Sequence, residues 1–594
     1  MSSIYDFVKK QRDSYRSDTI TIADGYEFSQ YETLRTIELY HNSRFLSGNK
    51  DTLGREKPFY NICKFRVNVA VRATDLDTKD VHIESDRIGA KGYAASFILN
   101  LKNRNWMKQS GFAKFLNEMG QTRAKYGGVL VKKIEQGGEL RLHVMAWRDM
   151  VTDQVDIRSG VKIFRDYYTP ADLKKMEASG WKGIDDAVAA AKKSKEATPD
   201  DGTKNKTPGA YVEVYFVDGV LPTSYLRGTS EKYGDDYGSD DEYERQTHIV
   251  VLDESDKDKT NGVTLYAGKT AEDPYKYLEY EKVPGRGLGV GVVEDLFEAQ
   301  VWTNYSEKQK KDMLDLAGKI LFQTSDSNVA AKNILTDLEN GEILTTAANS
   351  PITQVNNAPI AYQAFKDIAT NWDTQAERVS STFGAITGET MPAGTPFRQV
   401  AVLNQEAGSL FEYRREEAGE FIREIFMDWV LPFLVKQIKK DKELTATLEP
   451  EELELVSEAL ANHEALSFAK EQALSGNLVQ QQDLDAIKQA ARESSMKLRR
   501  KGFKDFADLF EDWQGTVDVV TTGEQKNKAA MLETLFNVFK TVAQAPQILQ
   551  DPTLARLFNQ LVETAGVSPL LLQPKGVPTE AAKQLPEEIA AQAA

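Results

Sequence analysis

The sequence predicts an α+β chain in which helix predominates. Three observations carry that reading: alternating apolar runs confined to the first 290 residues, helical spacing from there to about residue 572, and Gly/Pro-rich segments between the two regimes. At 594 residues the chain has room for about four structural units of roughly 150 residues each. With 41% apolar residues it can bury sizeable cores.

Residues 1–290 read as a mixed α/β region. Phe97, Leu101, Trp106, Phe112, Phe115 and Met119 recur at helical spacing between Ser85 and Arg123, predicting a helix that ends before Tyr126-Gly127-Gly128. The alternating run from Gly128 to Met150 turns at Gly137-Gly138, a hairpin signal. A second alternating run from Tyr211 to Gly219 is expected to continue that sheet, and the polar, breaker-rich stretch from Lys192 to Gly209 to be a surface excursion.

From Val293 the apolar row Phe297, Val301, Tyr305, Met313 and Leu316, interrupted by Gln309, predicts a helix of roughly 35 Å over 291–317. A small α/β insert follows at 318–358, with short strands at Lys319–Thr324 and Gly341–Thr346 around a helical turn from Val329 to Leu338. Helical spacing resumes over 359–388 as Phe365, Ile368, Trp372, Ala376, Val379 and Phe383, and Gly384 and Gly388 close it. The loop Glu389, Thr390, Met391, Pro392, Ala393, Gly394, Thr395, Pro396, Phe397 separates this pair from a third helix over 398–449. Its stripe runs Val400, Leu403, Ala407, Leu410, Arg414, Ala418, Phe421, Ile425 and Trp429, and Pro432 should kink or end it. Residues 450–572 read as helical, and 573–594 as a frayed tail.

Composition and motifs exclude much. No apolar run is long enough to span a bilayer, since Ile425 to Val435 is short and contains Asp428. The N-terminus lacks the pattern of a secretory signal, and one cysteine, Cys63, cannot form an intramolecular disulfide, so synthesis in a reducing, cytosolic compartment is expected. A net charge of −16 argues against tight wrapping of duplex DNA. His41, His82, His143, His248 and His463 form no metal-binding spacing. Gly262 to Thr270 resembles a phosphate loop with one residue too many between its glycines and reads as a hairpin turn. The glycines at 285, 287, 289 and 291 miss the dinucleotide fingerprint and read as a close-packed approach to the following helix. The acidic run Asp235 to Glu244 lacks calcium-loop spacing and reads as a solvated loop. No catalytic residue, metal site or cofactor is expected.

The order of these elements resembles the portal protein, or head-to-tail connector, of tailed double-stranded DNA bacteriophages. The likeness rests on the helix, Tyr126-Gly127-Gly128 and hairpin; on Pro284-Gly285-Arg286-Gly287-Leu288-Gly289 leading into Val292; on the strand at Lys319; and on Ala385-Ile386-Thr387-Gly388. It spans nearly the whole chain, although each motif alone is unspecific. It implies an α/β wing, a two-helix stem, a clip in the insert, a tunnel loop at 389–397, a long helix through the wing and a helical crown. It also implies a non-enzymatic ring, usually a dodecamer, at one capsid vertex of the virion. That ring conducts double-stranded DNA during packaging and ejection. Its partners would be other copies of itself, the terminase large subunit, head-to-tail adaptor proteins, and the major capsid and scaffolding proteins.

On that resemblance the channel candidates are Glu389 through Arg398 and, on the first stem helix, Lys308, Lys310 and Lys311, with Glu307 and Asp312 as their alternative local partners. Clip interface candidates are Ile320, Phe322, Ile343 and Thr345, whose strands are too short to stand alone and so are expected to pair between subunits. Stem packing falls to Phe297, Phe365 and Trp372. The basic cluster Lys497, Arg499, Arg500, Lys501 and Lys504 would sit in the crown. An acidic lumen would repel phosphate and let DNA slide. The other readings are a soluble multidomain enzyme acting on nucleotides, with Lys269 or the 285–291 glycines near phosphate, and a helical scaffold or adaptor without a channel.

Overall fold

In the computed structural model the described residues are 3–52, 54–78, 81–85, 90–197, 211–255, 261–317, 322–323, 325, 349, 353–354, 362–382, 397–440, 484–490 and 515–519. The chain divides into two compact units, Met1–Val520 and Thr521–Ala594, and every described residue belongs to the first. It is mixed α/β, about 52% helical, with twelve helices and several antiparallel sheets among the described residues.

Ser3 caps α1 (Ile4–Ser17) through a reciprocal box with Asp6, satisfying amides that the first helical turn leaves free. A small hairpin, β1 (Ile20–Ala23) and β2 (Tyr26–Phe28), leads to α2 (Gln30–His41) and α3 (Ile62–Ala73). The helix expected between Ser85 and Arg123 is two helices, α4 (Ala90–Ser110) and α5 (Phe112–Tyr126), after strand β3 (Val81–Ser85). They part at Gly111, whose φ of 70° is left-handed and cannot continue a helix.

Tyr126 ends α5, and β4 (Gly128–Gln136) turns back as β5 (Glu139–Val144). Gly137 and Gly138 have φ of 64° and 81°, the two consecutive left-handed residues that a tight hairpin requires. The run after Tyr211 does not extend this sheet. It forms β8 (Val212–Pro222), central in a separate antiparallel sheet of order β10-β9-β8-β7-β6, with β6 (Met150–Val151), β7 (Lys162–Tyr168), β9 (Tyr243–Asp253) and β10 (Asn261–Lys269). Both faces of β8 are covered. After α6 (Pro170–Lys175), α7 (Ile184–Ala197) packs Ala187 and Ala191 against Val212 and Val214, and α1 packs Val8 with Tyr215 and Val217 on the other side. The segment expected as a turn at Gly262 is part of β10, because Leu265 and Val263 alternate onto the α7 face. The third strand of the hairpin sheet is β11 (Tyr275–Glu279), which pairs with β4.

The helices of the second half follow: α8 (Val292–Asp295), α9 (Phe297–Ala317), α10 (Tyr362–Ser380), α11 (Phe397–Ile425) and α12 (Leu431–Lys440). Helix α11 starts at Phe397, so the last predicted loop residue belongs to its first turn, together with the channel candidate Arg398. Pro432 does not end the helix. A π-helical turn at Phe426–Val430 precedes it and redirects the backbone bonds that its missing N–H would break, so the rod continues to Lys440. This rod buries Phe421, Ile422, Ile425, Phe426 and Trp429 against Trp106, Phe112 and Phe115 of α4 and α5.

Short strands β12 (Phe322–Gln323) and β13 (Thr353–Gln354) pair antiparallel within the insert. The 450–572 region is not wholly helical: residues 484–490 are helix, whereas β14 (Gly515–Val519) pairs antiparallel with β3. Its alternation places Val517 in the α4/α11 core, a two-residue period that outweighs the helical reading.

Candidate functional site

The two helices read as a stem, α9 and α10, pack on each other. Their buried and exposed faces invert the simple expectation. On α9 the buried side chains among the described residues are Ala299, Gln300, Thr303, Asn304 and Ser306, whereas Val301, Trp302 and Tyr305 are 37%, 44% and 49% exposed. Only part of this polar face meets another element, since Thr303 Oγ1, Asn304 Nδ2 and Ser306 Oγ are buried with no hydrogen-bond partner among the described residues. Gln300 Oε1 accepts from the amides of Ile62 (2.9 Å) and Cys63 (3.2 Å), the orphan donors at the start of α3, and its Nε2 donates to Tyr60 O. Asn304 Oδ1 accepts from Tyr60 N at 3.0 Å.

The predicted packing residues therefore divide. Phe297 lies edge-on to Tyr40, 4.9 Å between ring centres. Trp372 of α10 stacks on Trp302 of α9. Phe365 is half-buried, Ala376 is fully buried, and Ile368 and Val379 of the same predicted row are exposed. A row at three- and four-residue steps records an apolar face without saying that one chain covers it.

An arginine network ties this helix pair and α11 to the N-terminal half of the chain. Buried Arg66 on α3 donates to Thr382 O (2.8 Å), Thr382 Oγ1 (3.0 Å), Asp373 (3.2 Å) and Glu377 (3.1 Å). Arg123 on α5 donates to Glu279 O, Arg414 O and Glu417, linking hairpin sheet and α11. Arg414 lies 3.8 Å from the centre of the Tyr280 ring and pairs with Glu281, and Arg286 donates to Leu288 O, Gly289 O and Glu294. Asp295 sits amid these groups. Burial, with Glu281 and Glu294 nearby, pushes its carboxyl up to about 7 against the pull of Arg414 and Arg286.

The glycine run ending at Gly291 is packed, as expected, at this same junction. A Cβ on Gly289 or Gly291 would overlap the backbone of Gly127, and one on Gly127 would overlap that of Gly289. Lys269 pairs with Glu244 at the end of β10.

The three stem lysines differ. Lys310 pairs with Glu307, Lys311 donates to Glu56 O at 2.8 Å, and Lys308 makes no ion pair among the described residues. Asp312 is held by Arg55 at 3.2 Å rather than by a lysine. Of the remaining candidates, Glu389 to Pro396, Ile320, Ile343, Thr345 and the cluster Lys497 to Lys504 lie outside the described residues, and Phe322 lies in β12.

Among the described residues no group of three His, Cys, Asp or Glu side chains could hold a metal ion, and no helix is long and apolar enough to cross a membrane. Burial pushes the imidazoles of His41 and His248 down to about 4 and the Cys63 thiol up to about 12, so all three are neutral near pH 7. Sequence reading missed Gln300 and the arginines at 66, 123 and 286. Only Arg414 gave a signal, as a charged residue within an apolar helical row. Comparison of the sequence with known protein families finds no match, and a search of curated proteins likewise returns none.

Proposed function

We propose that the chain is a portal-type subunit, a structural component that closes into a ring around a DNA channel and performs no chemistry of its own. One observation carries the reading. Helix α9 buries a mostly polar face within the chain and α10 buries Ala376 and Ser380, while Val301, Trp302, Tyr305, Leu314, Ile368 and Val379 stay exposed. Apolar side chains on one helix pair are what a neighbouring copy would cover, and a head-to-tail contact of this kind closes into a ring when its rotation divides the circle. Twelve copies of a chain at −16 would make an acidic assembly through which phosphate slides. On this reading the insert docks the terminase large subunit and then head-to-tail adaptors, the wing meets capsid and scaffolding proteins, and the ring sits at a capsid vertex.

Native mass spectrometry with negative-stain imaging tests it. The expected result is a closed ring with a central hole and a mass near twelve times 66.5 kDa. Trp302→Glu combined with Val379→Glu should yield folded, unassembled chains. Rings that form normally from that variant, or a wild-type monomer that binds nucleotide, would overturn the reading.

A further inference from the structure

Strand β11 is the edge of its sheet, paired with β4 on one side only. Lys133 N donates to Pro274 O and Tyr280 N to Gly127 O. By the alternation of an antiparallel pair, Lys276 and Leu278 then turn their backbone groups to β4, while Tyr275, Tyr277 and Glu279 turn theirs outward. Two outward groups are already used: Tyr275 N donates to Asp273, and Glu279 O accepts from Arg123. The N–H and C=O of Tyr277 have no backbone partner among the described residues.

A groove of about 1210 Å³ follows this edge. Tyr275, Lys276, Tyr277 and Leu278 all line it, although successive strand side chains point to opposite faces, so the groove tracks the backbone itself. The facing wall is α11 and its π turn, which present Glu416, Glu420, Glu424 and Asp428 between the exposed Tyr413 and Met427. The groove also holds two cations, Arg158 and Lys162, paired with Glu279 and Asp273. Lys276 bridges Glu424 and Asp428, one cation shared by two carboxylates. Glu420 has only Arg423 of its own helix, at 3.4 Å, and Glu416 pairs with no cation among the described residues.

The geometry points to strand addition: β11 accepts a further strand from a partner polypeptide that is extended and basic, with Lys or Arg at alternate positions facing Glu416 and Glu420. Main-chain bonds to Tyr277 set the register, and the carboxylates select the charge. Five strand residues span roughly 16 Å, the reach of a five- or six-residue segment. Nucleic acid is disfavoured because carboxylates repel phosphate. The inference is independent of ring formation.

The test is fluorescence anisotropy on the full chain with a labelled hexapeptide of alternating lysine and valine. Its controls are a glutamate–valine twin and a lysine–valine twin N-methylated at alternate amides. The basic peptide should bind at least about tenfold more tightly than either. Its binding should weaken severalfold in Glu416→Gln/Glu420→Gln, whose side chains are exposed and whose folding circular dichroism checks. Hydrogen exchange should then slow at Tyr277. Equal binding of the methylated peptide would reduce the effect to charge alone and overturn strand addition, and equal binding of the acidic twin would overturn the basic partner. Absence of binding, with Tyr277 already protected in the assembled protein, would hand the groove to a second copy of the chain.

Discussion

Trp302 of α9 lies flat against Trp372 of α10, ring centres 6.2 Å apart and planes 3° from parallel. Trp302 also meets Tyr305 edge-on at 5.8 Å. Because Trp302 is 44% exposed and Trp372 half-buried, either change to Ala should cost about 1.5–2.5 kcal/mol, below the 3–5 kcal/mol of a fully buried aromatic. A double-mutant cycle by chemical denaturation should give a coupling of about 0.5–1.5 kcal/mol. Strictly additive losses would mean that the stack contributes nothing beyond area.

Gly127 and Gly180 share a φ of 88°, yet a Cβ on Gly180 meets nothing within 4 Å, whereas one on Gly127 would strike backbone of Gly289 and Gly291. Gly180→Ala should therefore cost only the left-handed penalty of about 1–2 kcal/mol. Gly127→Ala must also push apart two backbone segments and should cost several kcal/mol, on the order of 3 or more. Thermal melts of the two variants check this, and equal losses would refute the close packing.

Asp295 makes stability depend on pH in an unusual direction. Its carboxyl is raised to about 7 in the fold against roughly 4 in an unfolded chain. Between those values the native state holds the extra proton, so this contribution is fully present below about pH 4 and is lost as pH rises through about 7. His41 and His248, lowered to about 4, act oppositely, since their contribution disappears as pH falls below the ordinary imidazole range. The difference between Asp295→Asn and the parent isolates the carboxyl. The variant should gain on the order of 2–4 kcal/mol at pH 8 relative to pH 4. Urea denaturation at several pH values measures it, and a flat difference curve would place Asp295 in an ordinary titration.

Local pattern sufficed where neighbours along the chain supply the physics. The stop at Tyr126, the turn at Gly137-Gly138 and the long helices all follow from periodicity and from glycines that alone tolerate positive φ. The dense glycines before Gly291 were legible as a close approach, but their partner, Gly127, was not. Helices α9 and α10 were legible as two helices; which face each buries was not. Gln300 is inside because it caps α3, a need written far away in the sequence.

The sequence by itself determined the acidic charge and the strongly periodic elements, such as α5, the β4–β5 hairpin and the long helices, but not β10 or β14, because propensity, period and composition act over a few residues. Tertiary structure decided that β8 lies in its own sheet, that β14 joins β3, that a π turn carries the helix past Pro432, and that Val301 and Val379 stay outside. Each of those outcomes depends on which distant group offers a hydrogen bond or a surface to cover. An apolar period states that a face must be buried without naming the body that buries it.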